Sequence, residues 1–310
     1  MKHQTSPWRA SAVMVAGLLL FTACASDEGA EPEADDETIG AQEDTISIGT
    51  IPGWPDHAGV AHLYEHVLEE NGYDAEVRDT VDVAPAYDAL AEGELDVYGT
   101  AWPERTQKDY WEEHQDNLED LGAVYDDARL FLAVPEYSEI TSIEELPDHA
   151  DELNGQITGI ESGAGLSVII EEEVIPHYGL DDDFELQLSS ASGMVGELDE
   201  AIDNEEEIVV TLWTPYWATE QYDVRALEDP DEVYGEPESV RTLARAGFSD
   251  EYPEIARMIE NFSLTTEQIA DLQDTIVNEV EDDVPAAVDA WLEENPEVLD
   301  MMSADLTDEQ

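Results

Sequence analysis

The sequence predicts an α/β protein of two lobes, in which each lobe is a mainly parallel sheet flanked by helices and two crossover strands join the lobes. Two observations support this prediction. Strand-like and helix-like runs alternate from residue 45 onward, a pattern that is typical of parallel sheets covered by helices. Two such units follow one another, and one more strand-like run comes near the end of the chain, before a mainly helical tail.

The first unit has the order βαβαβ, read from hydrophobic alternation in the strands and three- to four-residue spacing in the helices. Asn71-Gly72 and Gly93 are typical helix ends. The elements are TISIGTI (45–51), HAGVAHLYEHVLEENGY (57–73), AEVRDTV (75–81), PAYDALAEG (85–93) and LDVYGTAW (95–102).

The second unit alternates in the same way, from a strand at 128 to a strand that ends at Trp213. A strand at 240–248 and amphipathic helices over 254–262 and 267–295 follow. The members of the unit are ARLFLAVP (128–135), a helix capped at Ser142 (142–153), QITGIESG (156–163), LSVIIEEEVIPHYG (166–179), FELQLSS (184–190), GMVGELDEAIDNEEE (193–207) and IVVTLW (208–213).

The charge of the chain indicates a surface built for concentrated salt. The 310 residues carry 79 Asp and Glu against 10 Lys and Arg, a formal net charge of -69. At molar ionic strength the Debye length falls to about 3 Å, so neighbouring carboxylates hardly repel one another. The hydrophobic fraction of 42% indicates a packed core and argues against an acidic disordered chain. Nucleic acid and anionic membranes are poor partners for such a surface.

The first 44 residues predict a lipoprotein leader and a tether. Lys2 and Arg9 precede an apolar run that is too short to be a stop-transfer helix, and small residues lead to Cys24. FTAC resembles the bacterial lipobox, which implies lipidation of Cys24 after removal of a signal peptide over 1–23. Residues 24–44 are predicted to form an acidic disordered tether. Because Cys24 is the sole cysteine, no disulfide is expected.

Three predicted strands end in a tryptophan next to a proline. Trp54 lies in PGWPD, Trp102 in TAWPERT and Trp213 in TLWTPYW. Ligands of open α/β sheets bind at the carboxyl ends of parallel strands, so the three side chains are expected at one site between the lobes. Indole faces attract cations, with up to about 2 kcal/mol each where water is excluded. A quaternary ammonium group, which donates no hydrogen bond, suits such walls, whereas ordinary packing between the lobes remains the alternative.

Longer segments resemble the glycine betaine/choline/carnitine-binding family of ABC importers. They include VAPAYDALAEGELDVYGTAWPERTQKDYW, ITGIESGAGLS and EEIVVTLWTPYWATEQYDVRALEDP, and the similarity runs from about Thr45 to Phe262. The resemblance implies a type II periplasmic-binding-protein fold over 45–308, with lobe 1 at about 45–132 and 240–308 and lobe 2 at about 133–239. It also implies that Trp102 and Trp213 are cage tryptophans, and Trp54 is expected as the third wall.

The carboxylate end of a betaine needs other groups. Main-chain N–H groups of Gly163 to Leu166 in the glycine-rich loop, and that of Gly53, can form an anion nest. Two positions depart from the family pattern, since some members have a histidine where this chain has Thr106 and a tryptophan where it has Ala164. Tyr216 is expected at the edge of the cage and Trp217 in the core. The expected donors on this side are Gly53, His57, Thr106, Ser162, Gly163, Ala164 and Gly165.

Two rival interpretations remain. HLYEH places His62 and His66 on one helical face with a glutamate between them, as in inverted zinc proteases, which would make the chain a zinc-dependent hydrolase. A pH- or metal-sensitive surface patch is favoured over this interpretation, and a solvated helix face is favoured over both. An amino acid could bind on the same fold, with Arg105 and Asp56 as anchors.

The sequence therefore predicts a non-enzymatic receptor without cofactor or bound metal. Its ligand is a small quaternary ammonium osmolyte, glycine betaine first, with choline, carnitine or an amino acid as alternatives. Its expected partners are an ABC permease with ATPase subunits, and the membrane through a lipid anchor on the outer face of the cell. It is expected to be a monomer.

Overall fold

One mixed sheet organises the protein. The computed structural model describes residues 45–280 and 283–306. The strands are β1 (Ile46–Thr50), β2 (Ala75–Asp79), β3 (Val97–Ala101), β4 (Leu118–Pro135), β5 (Gln156–Thr158), β6 (Glu185–Gln187), β7 (Val210–Thr214), β8 (Val224–Ala226) and β9 (Glu238–Arg245).

Helices cover this sheet and form most of the chain after β9. They are α1 (Pro55–Glu70), α2 (Val83–Glu92), α3 (Lys108–His114), α4 (Gly165–Ile169), α5 (Ile175–His177), α6 (Ala191–Asn204), α7 (Ala218–Gln221), α8 (Phe248–Glu251), α9 (Pro253–Asn261), α10 (Thr266–Asp274), α11 (Val284–Glu294) and α12 (Pro296–Ala304). Short 3₁₀ helices lie at Gln115–Asn117 and Ile143–His149, and π-helical turns at Ile170–Val174 and Thr275–Glu279.

The sheet has two halves that share β4. The strand order is β2-β1-β3-β9-β4-β7-β5-β6, with β8 also paired to β4. In the first half-sheet (β2, β1, β3, β9 and the 118–128 part of β4), β1 is parallel to β2 and β3, while β9 is antiparallel to β3 and β4. In the second half-sheet (the 129–135 part of β4 with β7, β5, β6 and β8), β5 is parallel to β6 and β7. The chain thus passes between the halves twice, along β4 and between β8 and β9.

The predicted strands and helices of the first unit are confirmed, because their sequence signals are local. α1 has Pro55 in its first turn, where the missing N–H costs nothing. Asp82 caps α2 by accepting from the Val83 N–H at 2.8 Å. Gly93 closes α2 in the left-handed conformation, with φ of 74°.

β4 begins at Leu118, well before the strand predicted at 128. The pairing of β4 with β9 shifts register between Asp120 and Ala123 and again before Ala128. Such bulges interrupt the period-two alternation by which a strand is recognised in a sequence. The first half of β4 therefore cannot be recognised as a strand from its sequence pattern.

The predicted helix over 166–179 is continuous from Gly165 to His177 and contains a π-helical turn between α4 and α5. The predicted helix over 267–295 is divided: α10 continues into a π-helical turn, and α11 begins separately with Pro285 near its start. Proline favours the first turn of a helix and is costly inside one, which accounts for a new helix start beside Pro285.

The helical tail packs against α1 through a close contact at Gly59. A Cβ atom at Gly59 would lie 2.9 Å from Cδ2 of Leu272 and 3.1 Å from Cδ1 of Ile276. The contact joins α10 to α1, which itself packs on β1, β2 and β3.

We expect Gly59→Val to destabilise the protein by about 1–3 kcal/mol, because the added atoms overpack the contact between α1 and α10. Urea unfolding at constant salt concentration measures the effect. Gly196→Val is the matched control, since Gly196 is also inside a helix but has open space at its Cβ position. It should be neutral or slightly stabilising through helix propensity. Equal losses in both variants would contradict the packing argument.

Candidate functional site

A pocket lies where the ends of β1, β3 and β7 meet the start of α4. Its empty volume, part of which is open to solvent, is about 390 Å³. Three tryptophans from three different strand ends contribute to its wall, as the sequence predicted for strand-end loops. The lining residues are Trp54, Asp56, His57, Trp102, Thr106, Gln107, Leu130, Ile160, Ala164, Gly165, Leu166 and Trp213.

The three tryptophans are almost completely buried. Trp54 directly precedes α1, Trp102 follows β3 and Trp213 lies in β7, and their exposed fractions are 7%, 6% and 5%. The main-chain N–H of Trp102 donates to Oε1 of Gln107 at 2.9 Å, and the Tyr87 hydroxyl donates to the same oxygen at 3.2 Å. Gln107 thus fixes the position of the Trp102 loop.

Trp213 is supported from behind by Tyr216. Their rings are stacked with centroids 4.0 Å apart and an interplanar angle of 28°. Tyr216 is 2% exposed and is not among the lining residues, so it backs the wall and does not edge it. Trp217 is buried, in keeping with its expected packing role. Both residues lie in the turn between β7 and α7.

Asp56 is the acidic group of the pocket. Burial raises its pKa to about 7, although main-chain N–H groups of His57 and of Asp56 itself oppose the shift. In the described part of the chain, its Oδ1 atom has no hydrogen-bond partner. A buried carboxyl oxygen without a partner is costly, and a cation placed beside it removes part of that cost.

His57 is neutral in this environment. Burial lowers its pKa to about 3, so the 3.9 Å approach of Nε2 to Oδ2 of Asp56 is not an ion pair at neutral pH. Nδ1 lies 3.3 Å from the hydroxyl of Tyr98, and the ring meets Trp54 edge-on at 4.8 Å. His57 therefore offers the pocket an uncharged ring.

The glycine-rich loop reaches the pocket in part. Ala164 and Gly165 line it, whereas Gly53, Ser162 and Gly163 do not. A Cβ atom at Gly165 would collide with the main-chain oxygen of Thr106, so glycine permits this close approach. A Cβ atom at Gly163 would likewise collide with the carboxylate of Asp82.

Thr106 lines the pocket, but its hydroxyl donates to Oε1 of Glu238. Its main-chain N–H also points to that carboxylate, at 3.3 Å from both oxygens. Burial raises the pKa of Glu238. The hydroxyl proton of Thr106, which the sequence suggested for the ligand, is thus engaged with β9.

Several contacts cross the cleft between the halves. Nε1 of Trp54 donates to Oε2 of Glu161 at 3.1 Å. The Arg105 guanidinium donates to the main-chain oxygens of Val233 and Tyr234, both at 2.7 Å, and to Glu173 at 2.9 Å. Arg105 is therefore committed to closing the cleft and does not line the pocket, which removes one of the two anchors considered for an amino acid ligand.

HLYEH lies on α1, away from the pocket. Nδ1 of His62 pairs with Glu65 and Nδ1 of His66 pairs with Asp289 of α11, each at 2.7 Å. No group of three or more His, Cys, Asp or Glu within 45–280 and 283–306 is arranged to hold a metal ion. This geometry supports the solvated helix face.

Four lining residues were not predicted as ligand contacts. Asp56, considered only as an amine anchor, had a signal in its position directly after Trp54-Pro55. The other three depend on pairing or packing over long distances, as when β4 pairs with β7 and places Leu130 opposite Trp213. They are Gln107, Leu130 and Ile160.

The predicted leader, Cys24 and the tether lie outside the described residues. Within the described ranges, no helix is both long enough and apolar enough to cross a bilayer.

Solved structures resemble this one closely. The glycine/betaine/L-proline-binding protein ProX from Borrelia burgdorferi is 31% identical, with a TM-score of 0.78 over 83% of this chain and 96% of that one. Lactococcal OpuAC, closed and complexed with glycine betaine, is 28% identical, with a TM-score of 0.77 over 83% and 98%. A choline-binding protein of an ABC transporter, in complex with choline, is 25% identical, with a TM-score of 0.75 over 84% and 91%. The predicted two-lobed type II periplasmic-binding-protein fold is confirmed.

Relatives known by sequence agree. The glycine betaine/carnitine transport binding protein GbuC of Listeria monocytogenes is 35% identical over 153 residues, which are 48% of this chain and 49% of that protein. The match thus spans about half the length of this relative. A family model for the substrate binding domain of the ABC-type glycine betaine transport system matches residues 44–294, and its members are transport proteins and not enzymes. This chain belongs to that family of substrate-binding domains.

Proposed function

We propose that this protein captures a quaternary ammonium solute, glycine betaine first, and delivers it to an ABC permease with ATPase subunits. The observation that carries the proposal is the meeting of Trp54, Trp102, Trp213 and the buried Asp56 in one pocket. The complexes of OpuAC with glycine betaine and of a related protein with choline support the ligand class.

The aromatic cage (Trp54, Trp102 and Trp213) suits a trimethylammonium group. Such a cation donates no hydrogen bond, so its binding site needs electron-rich surfaces that exclude water. Each indole face contributes up to about 2 kcal/mol under these conditions, and three contribute roughly 6 kcal/mol, or about ten-thousand-fold in affinity. The negative charge of Asp56 adds to this attraction.

The start of α4 can hold the carboxylate of a betaine. The first N–H groups of a helix have no acceptor within it, and they attract anions. Gly165 and Leu166 occupy this first turn and line the same pocket as the cage. The N–H of Ala164 is already used, since it donates to the oxygen of Glu161 at 3.1 Å.

Choline is the second candidate, because of the charge of the pocket. Among the described lining residues, Asp56 is acidic and none is Lys or Arg. A ligand with a net positive charge balances Asp56 completely, whereas a zwitterion brings a second carboxylate near it.

The remaining expectations are part of the same proposal. Cys24 in FTAC supports a lipid anchor on the outer face of the membrane, with residues 24–44 as tether. The charge of -69 supports operation in concentrated salt, where an imported betaine would serve as osmolyte. The change of strand partners along β4 supports lobe boundaries near 132 and 240, and the protein is proposed to act as a monomer.

Tryptophan fluorescence of the mature domain in high salt tests the ligand class. We expect saturable changes with glycine betaine, choline or carnitine and none with glycine, because glycine lacks the trimethylated nitrogen. Trp102→Ala and Trp213→Ala should each weaken binding at least tenfold. Trp111→Ala, in α3 outside the pocket, is the control and should bind as the wild type does. A response to glycine alone, or undiminished affinity in both pocket variants, would exclude the cage.

Choline binding should tighten about tenfold between pH 6 and pH 8. The pKa of Asp56 is about 7 without ligand, and a bound cation favours the ionised form, so binding at pH 6 must first remove a proton. Calorimetric titration in two buffers of different ionisation enthalpy measures both affinity and proton release. Asp56→Asn should bind choline more weakly, and its affinity should not depend on pH. If the affinity of this variant changes with pH as that of the wild type does, the titrating group is not Asp56.

Without ligand, Asp56 should destabilise the folded protein at neutral pH. Its pKa rises from 3.8 to about 7 on folding, so the folded state retains a proton that the unfolded state loses. The free energy of unfolding is therefore unaffected below pH 3.8. It falls by on the order of a few kcal/mol as the pH rises toward 7, and then levels off. The melting temperature of Asp56→Asn should exceed that of the wild type at pH 8 by more than at pH 4.5. A constant difference would refute this reasoning.

A further inference from the structure

Gln273 holds the turn behind the pocket with both ends of its side chain. Its exposed fraction is 0%. Oε1 accepts from the main-chain N–H of Trp217 at 3.1 Å, and Nε2 donates to the main-chain oxygen of Pro215 at 3.2 Å. Since one contact needs an acceptor and the other a donor, the orientation of the amide is fixed by its partners.

These two contacts enclose the support of the Trp213 wall. Pro215 and Trp217 flank Tyr216, the ring on which Trp213 is stacked at 4.0 Å. A side chain that fixes the main chain on both sides of Tyr216 also fixes the direction in which its ring points. The Trp213 ring is thus stacked on a residue whose main chain Gln273 holds on both sides.

Gln273 reaches this turn from the other side of the molecule. The turn follows β7 of the second half-sheet, whereas α10 packs on α1 at the contact between Leu272 and Gly59. The first turn of α1 carries Asp56 and His57 of the pocket. α10 thus connects two facing walls of one site through adjacent residues, Leu272 toward α1 and Gln273 toward the turn.

The rest of the α7 and α10 interface is open. A groove between the two helices is lined by Trp217, Glu220, Gln221 and residues of α10. One further hydrogen bond crosses it, from Nδ2 of Asn278 to Oε1 of Gln221 at 2.9 Å. Gln273 is buried beside this groove, so its amide is placed to set the spacing of the two sides.

We propose that Gln273 is a positioning residue that sets the Trp213 and Tyr216 stack at the distance from Trp54 and Asp56 that the bound cation requires. The inference rests on the proposed function. It assigns a part in affinity to α10, which contributes no residue to the pocket lining.

Gln273→Met tests it, because methionine has a similar size and retains neither hydrogen bond. We expect affinity for choline and for glycine betaine to fall at least tenfold, measured at a temperature where the variant is folded. Gln221→Met is the matched control, since it removes the hydrogen bond across the same groove without touching the turn, and it should stay within twofold of the wild type. A variant that melts earlier but binds as the wild type does would overturn the inference, because the role would then be stability alone.

Hydrogen exchange supplies a measurement without ligand. The Trp217 amide should exchange faster in Gln273→Met than in the wild type, and equal rates would overturn the inference. Should Gln273→Met fail to fold, Gln273→Glu takes its place: a protonated carboxyl can replace both contacts and an ionised one cannot. The ratio of its affinity to that of the wild type should be at least fivefold higher at pH 5.5 than at pH 8.5. A ratio that does not change with pH would count against the proposal.

The two proposals fail in different ways. If the wild type binds no trimethylated ligand, the proposed function is wrong and this inference falls with it. If the wild type and Gln273→Met bind such a ligand equally well, the proposed function stands and only the role of Gln273 is excluded.

Discussion

The structure depends on one strand that serves two half-sheets. β4 pairs with β9 along its first part and with β7 and β8 along its second, so a single backbone segment fixes the distance between the halves. The pocket lies beside this segment, and the pairing of Leu130 with Trp213 brings β4 itself into the lining. The walls of the pocket therefore come from both halves, and their spacing depends on this shared strand.

Burial and charge act against each other inside this pocket. Removing Asp56 from water disfavours its ionised form and raises its pKa, while the adjacent indole faces offer electron density but no proton. A cation that donates no hydrogen bond would complement both features. The acidic surface has a different physical basis, since exposed carboxylates are hydrated and screened by salt.

The sequence predicted most of the architecture because the signals involved are local. Strand alternation, helix ends at Gly93 and the tryptophans after β1 and β3 can all be read within a few residues. The first part of β4 could not be predicted, since bulges in its pairing with β9 interrupt the alternation. The roles of Thr106 and Tyr216 also depend on distant partners: Glu238 takes the hydroxyl proton of one, and the ring of Trp213 covers the other. A pattern within one segment contains no information about such partners.

The use of Arg105 has a consequence for the energetics of cleft closure. The chain has ten basic side chains, yet this one donates to the main-chain oxygens of Val233 and Tyr234 in addition to the carboxylate of Glu173. Salt weakens attraction between exposed ions, but it hardly weakens a short hydrogen bond to a neutral carbonyl group. The seam between the halves can therefore keep its strength across a wide range of ionic strength.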